Sequence, residues 1–124
     1  MARANLSFCF LCFLLCIVVS TSSRDATIWA DQKRNVATSW CIASPFVGDD
    51  KLQGAIKHYC SNPEVDCNVI QPGGPCYVPN TVKEHASVVL NLYYKAHLAI
   101  RQNCPSDVGF LTVKDPSSGS CHYP

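Results

Sequence analysis

His58, His85, His97 and His122, with the carboxylates Glu64, Asp66, Glu84, Asp107 and Asp115, are the side chains that could hold a metal or move a proton. Their spacing argues for neither. No His-x-x-x-His ligand pair occurs,. Glycoside hydrolysis needs two carboxyl groups held about 5–10 Å apart. Each carboxylate here stands beside a cap, turn or loop signal, and no pair is singled out. No Gly-x-Ser-x-Gly elbow surrounds any serine,. His85 falls on the apolar face of a helical pattern, where a ring bonded to backbone is expected. No catalytic centre, metal or cofactor is expected.

The cysteines carry different chemistry. Cys9, Cys12 and Cys16 lie in an apolar N-terminal run, and an even set remains: Cys41, Cys60, Cys67, Cys76, Cys104 and Cys121. No Cys-x-x-Cys spacing occurs within that set. Six cysteines in a short domain behind an apolar leader read as three disulfides made outside the cytosol. Six cysteines permit fifteen pairings, and local sequence does not choose among them.

Aromatic side chains offer a binding chemistry. Trp40, Tyr59, Tyr77, Tyr93, Tyr94, Phe110 and Tyr123 are many rings for so small a domain. A tyrosine or tryptophan can lay its apolar face on the C–H face of a sugar while its polar edge bonds hydroxyls. Asn80, Asn91, Gln71 and Asp66 are candidate orienting groups. Tyr59 and Tyr93 fall on helix faces expected to be buried. Tyr77, in a proline-flanked loop, and Tyr94, beside the apolar face, are the surface candidates.

The elements that must position these groups follow from pattern. Residues 8–19 are uncharged and apolar, Arg3 precedes them and small residues follow, as in a signal peptide over 1–23,. The run is short for a membrane span, which takes about 20 apolar residues. Residues 24–38 read as a flexible lead-in, with Trp29 its one packing or binding candidate. Net charge is +1, with no basic run to suit nucleic acid,. Only three residues follow Cys121, so no lipid-anchor signal is expected,.

Trp40-Cys41-Ile42-Ala43 reads as a strand. Asp49-Asp50 offers an N-cap and first-turn charge for a helix through Leu52, Ala55, Ile56 and Tyr59, ending near Cys60. Residues 71–75, QPGGP, form a turn. Thr81-x-x-Glu84 is a capping box opening a second helix. Val82, His85, Ala86, Val89, Tyr93, Ala96 and Ile100 line one face of it, to about Ile100. Val88 and Leu92 add a second apolar face, so the helix is expected between two layers. Phe110–Val113 and Ser120–Tyr123 flank a turn and read as a C-terminal hairpin. The fold class is α+β: two helices packed with a small antiparallel sheet and stapled by disulfides.

Trp40-Cys41-Ile42-Ala43, the block from Gln71 to Thr81, His85-Ala86-Ser87, Asn91, Tyr93-Tyr94 and the close from Asp115 to Cys121 together resemble the plant X8 domain, carbohydrate-binding module family 43. The resemblance covers residues 39–124. It implies the pairing Cys41–Cys104, Cys60–Cys67 and Cys76–Cys121. It also implies a non-catalytic, extracellular domain that binds β-1,3-glucan such as callose in the cell wall, of the stand-alone secreted type. The chain departs from the family where Val88, Val89-Leu90 and Ser118 replace common aromatic or small residues. The expected sugar contacts are Tyr77, Tyr94, Asn80 and Trp40, on a monomer without a membrane anchor. A secreted defence or inhibitor protein binding a protein partner, and a small glucan-acting enzyme, are the competing readings.

Overall fold

Strand β1, Trp40–Ala43, alternates half-buried and buried residues. That period of two turns Cys41 and Ala43 into the core,. The structure, a computed structural model, describes residues 39–124. The signal-peptide reading of 1–23, the lead-in of 24–38 and Trp29 lie outside the described residues.

Helix α1, Asp49–Cys60, buries Leu52, Ala55 and Ile56, one stripe at three- and four-residue spacing,. Its N-cap is Gly48, which makes no side-chain bond. Asp49 and Asp50 therefore do not cap. They sit in the first turn, where the positive end of the helix dipole favours them,. A short 3-10 turn, Cys67–Ile70, follows, with Asp66 Oδ1 accepting from the Asn68 amide at 3.1 Å. The chain then doubles back over it. A Cβ on Gly74 would stand 2.5 Å from the carbonyl oxygens of both Asn68 and Val69, so only glycine fits,.

Helix α2 spans Val82–Ala96. Thr81 Oγ1 accepts from the Glu84 amide at 3.2 Å, half of the expected capping box,. The other half is missing because the Thr81 amide bonds the Pro79 carbonyl. The helix stops at Ala96 rather than near Ile100. Leu98 and Ala99 turn left-handed, with φ of 64° and 51°. The Ala99 amide reaches back to the Tyr94 carbonyl at 2.9 Å, a Schellman-type ending with leucine where glycine is usual. Ala96 and Ile100 are consequently exposed.

Strand β2, Gly109–Thr112, pairs antiparallel with β1 in the register Trp40↔Thr112, Cys41↔Leu111, Ile42↔Phe110 and Ala43↔Gly109. The expected C-terminal hairpin is thus corrected: the partner of residues 110–112 is the N-terminal strand. Disulfides explain the choice. Cys41–Cys104 brings β1 to the chain just before β2, while Cys76–Cys121 draws the C-terminal segment to the loop before α2. There it makes a single bridge, Ser118↔Cys121. With Cys60–Cys67 these are the pairs the resemblance implies. Loops of 63, 45 and 7 residues each cost the unfolded chain entropy, worth roughly 4, 4 and 2 kcal/mol in the loop-closure account. A core this small needs that help.

Helix α2 packs against both β1 and α1 and so lies between two layers. The side toward β1 is polar. Ser87 Oγ accepts from the Ala43 amide at 3.0 Å, and Asn91 Oδ1 from the Cys41 amide at 3.2 Å. These donors lie on the β1 edge that β2 does not cover, so one turn of helix satisfies a strand edge. Asn91 Nδ2 also donates to the Pro124 carbonyl oxygen at 3.2 Å. The fold is a small α+β domain stapled by three disulfides.

Candidate functional site

The loop from Pro75 to Asn80 is held rigidly at its ends. Cys76 is bridged to Cys121, and its amide bonds the Val69 carbonyl at 2.8 Å. Thr81 then begins α2 as its N-cap. Between these anchors Tyr77 is half-buried and clamped from two sides. Asn80 Nδ2 donates to the Tyr77 phenol oxygen at 3.0 Å. His85 Nε2 donates to the Tyr77 carbonyl at 2.8 Å, and the two rings lie 5.8 Å apart at 31°. His85 is therefore bonded to backbone, as its place on the helix implied. Asn80 does not cap α2; its amide is spent on the tyrosine. The Asn80 side-chain oxygen and the phenol proton keep their hydrogen-bonding capacity.

A cleft of about 210 Å3 lies between Pro75-Cys76 and the C-terminal segment; Tyr77 and Asn80 do not line it. Val88, Leu92 and Val69 form its apolar floor, with His122 and Tyr123 on the far wall. A smaller hollow continues it toward Pro79, Glu84 and Ser118, sharing Cys76, Val88 and Tyr123. Val88 and Ser118, two departures from the family pattern, both line this surface. Burial, and then the charge of Glu84, push the Tyr123 phenol far above the ordinary tyrosine range,. Glu84 and Tyr123 were missed as cleft residues in the sequence. Their meeting depends on the Cys76–Cys121 bridge, and nothing local signals it.

The four expected sugar contacts do not form one patch. Tyr77 and Asn80 are together. Tyr94 is fully buried in the core, its hydroxyl sharing a 2.7 Å bond with Ser39 Oγ. The expected surface placement of Tyr94 is overturned, because β1 covers the side of α2 from which Tyr94 projects. Trp40 is half-buried, and its Nε1 is enclosed without a hydrogen-bond partner among the described residues. The Lys95 ammonium stands 5.5 Å from its ring centroid, a cation–π contact that occupies one ring face. Burial pushes the Lys95 ammonium below its usual pKa,. Lys95 is ten positions beyond His85, about 15 Å along the helix, so Trp40 is remote from Tyr77.

The polar candidates sort in the same way. Asn91 is fully buried in its two structural bonds, and Asp66 caps the 3-10 turn. Tyr59 and Tyr93 are only half-buried, against the expectation of core rings. They continue a ladder through His97, with centroids 4.6 and 4.1 Å apart. His97 ends the ladder at Glu64, 3.4 Å away. Among the described residues no cluster of histidine, cysteine and carboxylate could hold a metal, and no helix is long and apolar enough to cross a membrane.

A family model, the X8 domain, matches residues 39–107. A glucan endo-1,3-beta-D-glucosidase of Olea europaea is 47% identical over 89 residues, covering 71% of this chain and 19% of that protein. Major pollen allergen Ole e 10, also from Olea europaea, is 39% identical over 85 residues, 68% of this chain and 69% of the allergen. Plasmodesmata callose-binding protein 5 of Arabidopsis thaliana is 40% identical over 86 residues, 68% of this chain and 48% of that protein. The match spans about a fifth of the length of the glucosidase relatives. The family match takes in β1, both helices and the Tyr77 loop, and this chain belongs to the X8 domain family.

Proposed function

We infer that this protein is a non-catalytic β-1,3-glucan-binding module, secreted through its signal peptide over 1–23 and acting in the cell wall as a monomer. The observation that carries the reading is the clamped Tyr77. Its hydroxyl is bonded by Asn80 and its backbone by His85, and its chain neighbours Cys76 and Val78 line the adjoining hollows. A ring already immobilised loses little entropy when a sugar stacks on it. On this reading the Asn80 side-chain oxygen and the tyrosine hydroxyl supply the partners for a glucan hydroxyl. The relatives agree in direction: one is named for callose binding and others for cleaving 1,3-beta-glucan.

Catalysis is not part of this reading. The cleft wall carries one carboxylate side chain, Glu84, where hydrolysis takes two,. Glu64 is engaged by His97 and Asp107 by Lys51, away from the cleft. Co-sedimentation with insoluble β-1,3-glucan tests the proposal, with cellulose as the control. Retention on the first polymer alone is the expected result. Equal recovery in the supernatant with both would instead favour a disulfide-framed surface for a protein partner. Release of reducing sugar would point to an enzyme.

A further inference from the structure

A further broad groove lies away from the Tyr77 loop. It has a volume of about 780 Å3, with Arg101, Gln102, Ser106 and Asp107 on one wall and Phe110 and Leu111 of β2 on the other. Strand β1 takes one edge of β2, and Gly109, Phe110 and Leu111 of β2 line the groove. Gly109 locates it relative to α2: a Cβ there would stand 3.1 Å from Leu90 Cδ1. Leu90 is five positions beyond His85, about 140° around the helix axis at 3.6 residues per turn. The groove and the Tyr77 loop therefore face outward from opposite sides of α2. One short sugar segment cannot touch both.

The chemistry of the walls points to a hydroxylated ligand. Phe110 is 43% exposed, a large apolar ring at the groove's rim. A guanidinium, an amide, a hydroxyl and a carboxylate line the same groove, a mixture of ring face and polar edges that suits a sugar. Arg101 and Asp107 are of opposite sign, and Asp107 also holds Lys51 at 3.6 Å, so the walls combine donors with an acceptor. An apolar protein surface laid here would strip water from these groups without bonding them, at a cost that disfavours it. An uncharged polyol bonds both donors and acceptors. On the reading that the Tyr77 loop binds β-1,3-glucan, we propose that this groove is a second contact site for the same polysaccharide, so that one molecule engages two chain segments. Two such sites on one rigid body strengthen retention on an insoluble, multi-chain polymer far more than on a short oligosaccharide.

Amide NMR titration with a β-1,3-linked glucose hexamer tests this on the whole protein. Two separate groups of shifted resonances are expected, one at Tyr77, Asn80 and His85 and one over residues 101–111. Phe110→Ala should remove the second group, leave the first intact, and lower retention on insoluble β-1,3-glucan at least tenfold. Gln102→Ala, a change at an exposed side chain, should weaken the second group in the same direction and guards against misfolding of the Phe110 variant. Shifts confined to the Tyr77 group, with unaltered polymer retention for both variants, overturn the second site and leave the glucan reading standing. Absence of shifts anywhere in the unmodified protein overturns the glucan reading itself.

Discussion

Replacing Asn91 by alanine should unfold the contact between α2 and β1 from within. Asn91 is fully buried and makes two bonds, accepting from the Cys41 amide and donating to the Pro124 carbonyl, both at 3.2 Å. Each is worth about 1 kcal/mol net, and a buried amide left without an acceptor costs about 1–3 kcal/mol more. Cys41 is itself fully buried, so water cannot take Asn91's place. The expected loss is about 3 kcal/mol, or about 12–24 °C in Tm for a domain of this size. Ser87→Ala is the graded comparison. It strands only the Ala43 amide, and should cost about 1–2 kcal/mol. Urea unfolding followed by far-UV circular dichroism, with disulfides intact, measures both, and hydrogen exchange reads the Cys41 amide directly. A loss below 1 kcal/mol for Asn91→Ala, with the Cys41 amide still protected, would refute the view that α2 side chains complete the strand edge.

Three further outcomes follow from particular positions. Gly74→Ala should cost about 3 kcal/mol or prevent folding, because its methyl meets two backbone carbonyls at 2.5 Å that no side-chain movement relieves,; thermal melts read this. Leu98→Gly should raise stability by about 1 kcal/mol, since Leu98 is 79% exposed yet held at a φ of 64°, where a Cβ is strained. Burial raises the Tyr59 and Tyr123 phenols above their ordinary range. The folded state then holds more protons than the unfolded one above about pH 10, and stability should fall as pH rises through that region. Tyr123→Phe should flatten the decline in an alkaline unfolding series.

Much of this architecture was legible because its signals are local. The three- and four-residue spacing marked both helices, Thr81-x-x-Glu84 marked the start of α2, and Trp40-Cys41-Ile42-Ala43 read as the strand it is. What escaped depends on contacts distant in sequence. Tyr93 and Tyr94 are neighbours, and hydrophobic spacing assigns Tyr93 to the core and Tyr94 to the surface. Strand β1 reverses that by covering the side of α2 that carries Ser87, Asn91 and Tyr94. Polar residues on that side read as solvent-facing until the strand edge they serve is known. The C-terminal hairpin failed for a related reason, since residues 110–112 find their partner near residue 41. Grouping Trp40 with Tyr77 failed because the aromatic count carries no positions. The loop chemistry around Tyr77 was readable, since proline, a bridged cysteine and a helix start all lie within a few residues of it.

The central claim is that the clamped Tyr77 ring holds the glucan. Affinity electrophoresis through gels containing laminarin tests it most directly, with thermal melts as the folding control. Tyr77→Ala should lose about 1 kcal/mol or more of binding, roughly a fivefold rise in Kd, while melting normally. Tyr77→Phe, which keeps the ring but gives up the Asn80 bond, should fall between that variant and the unmodified protein. Retardation of Tyr77→Ala equal to that of the unmodified protein, with an unchanged melt, would contradict the account.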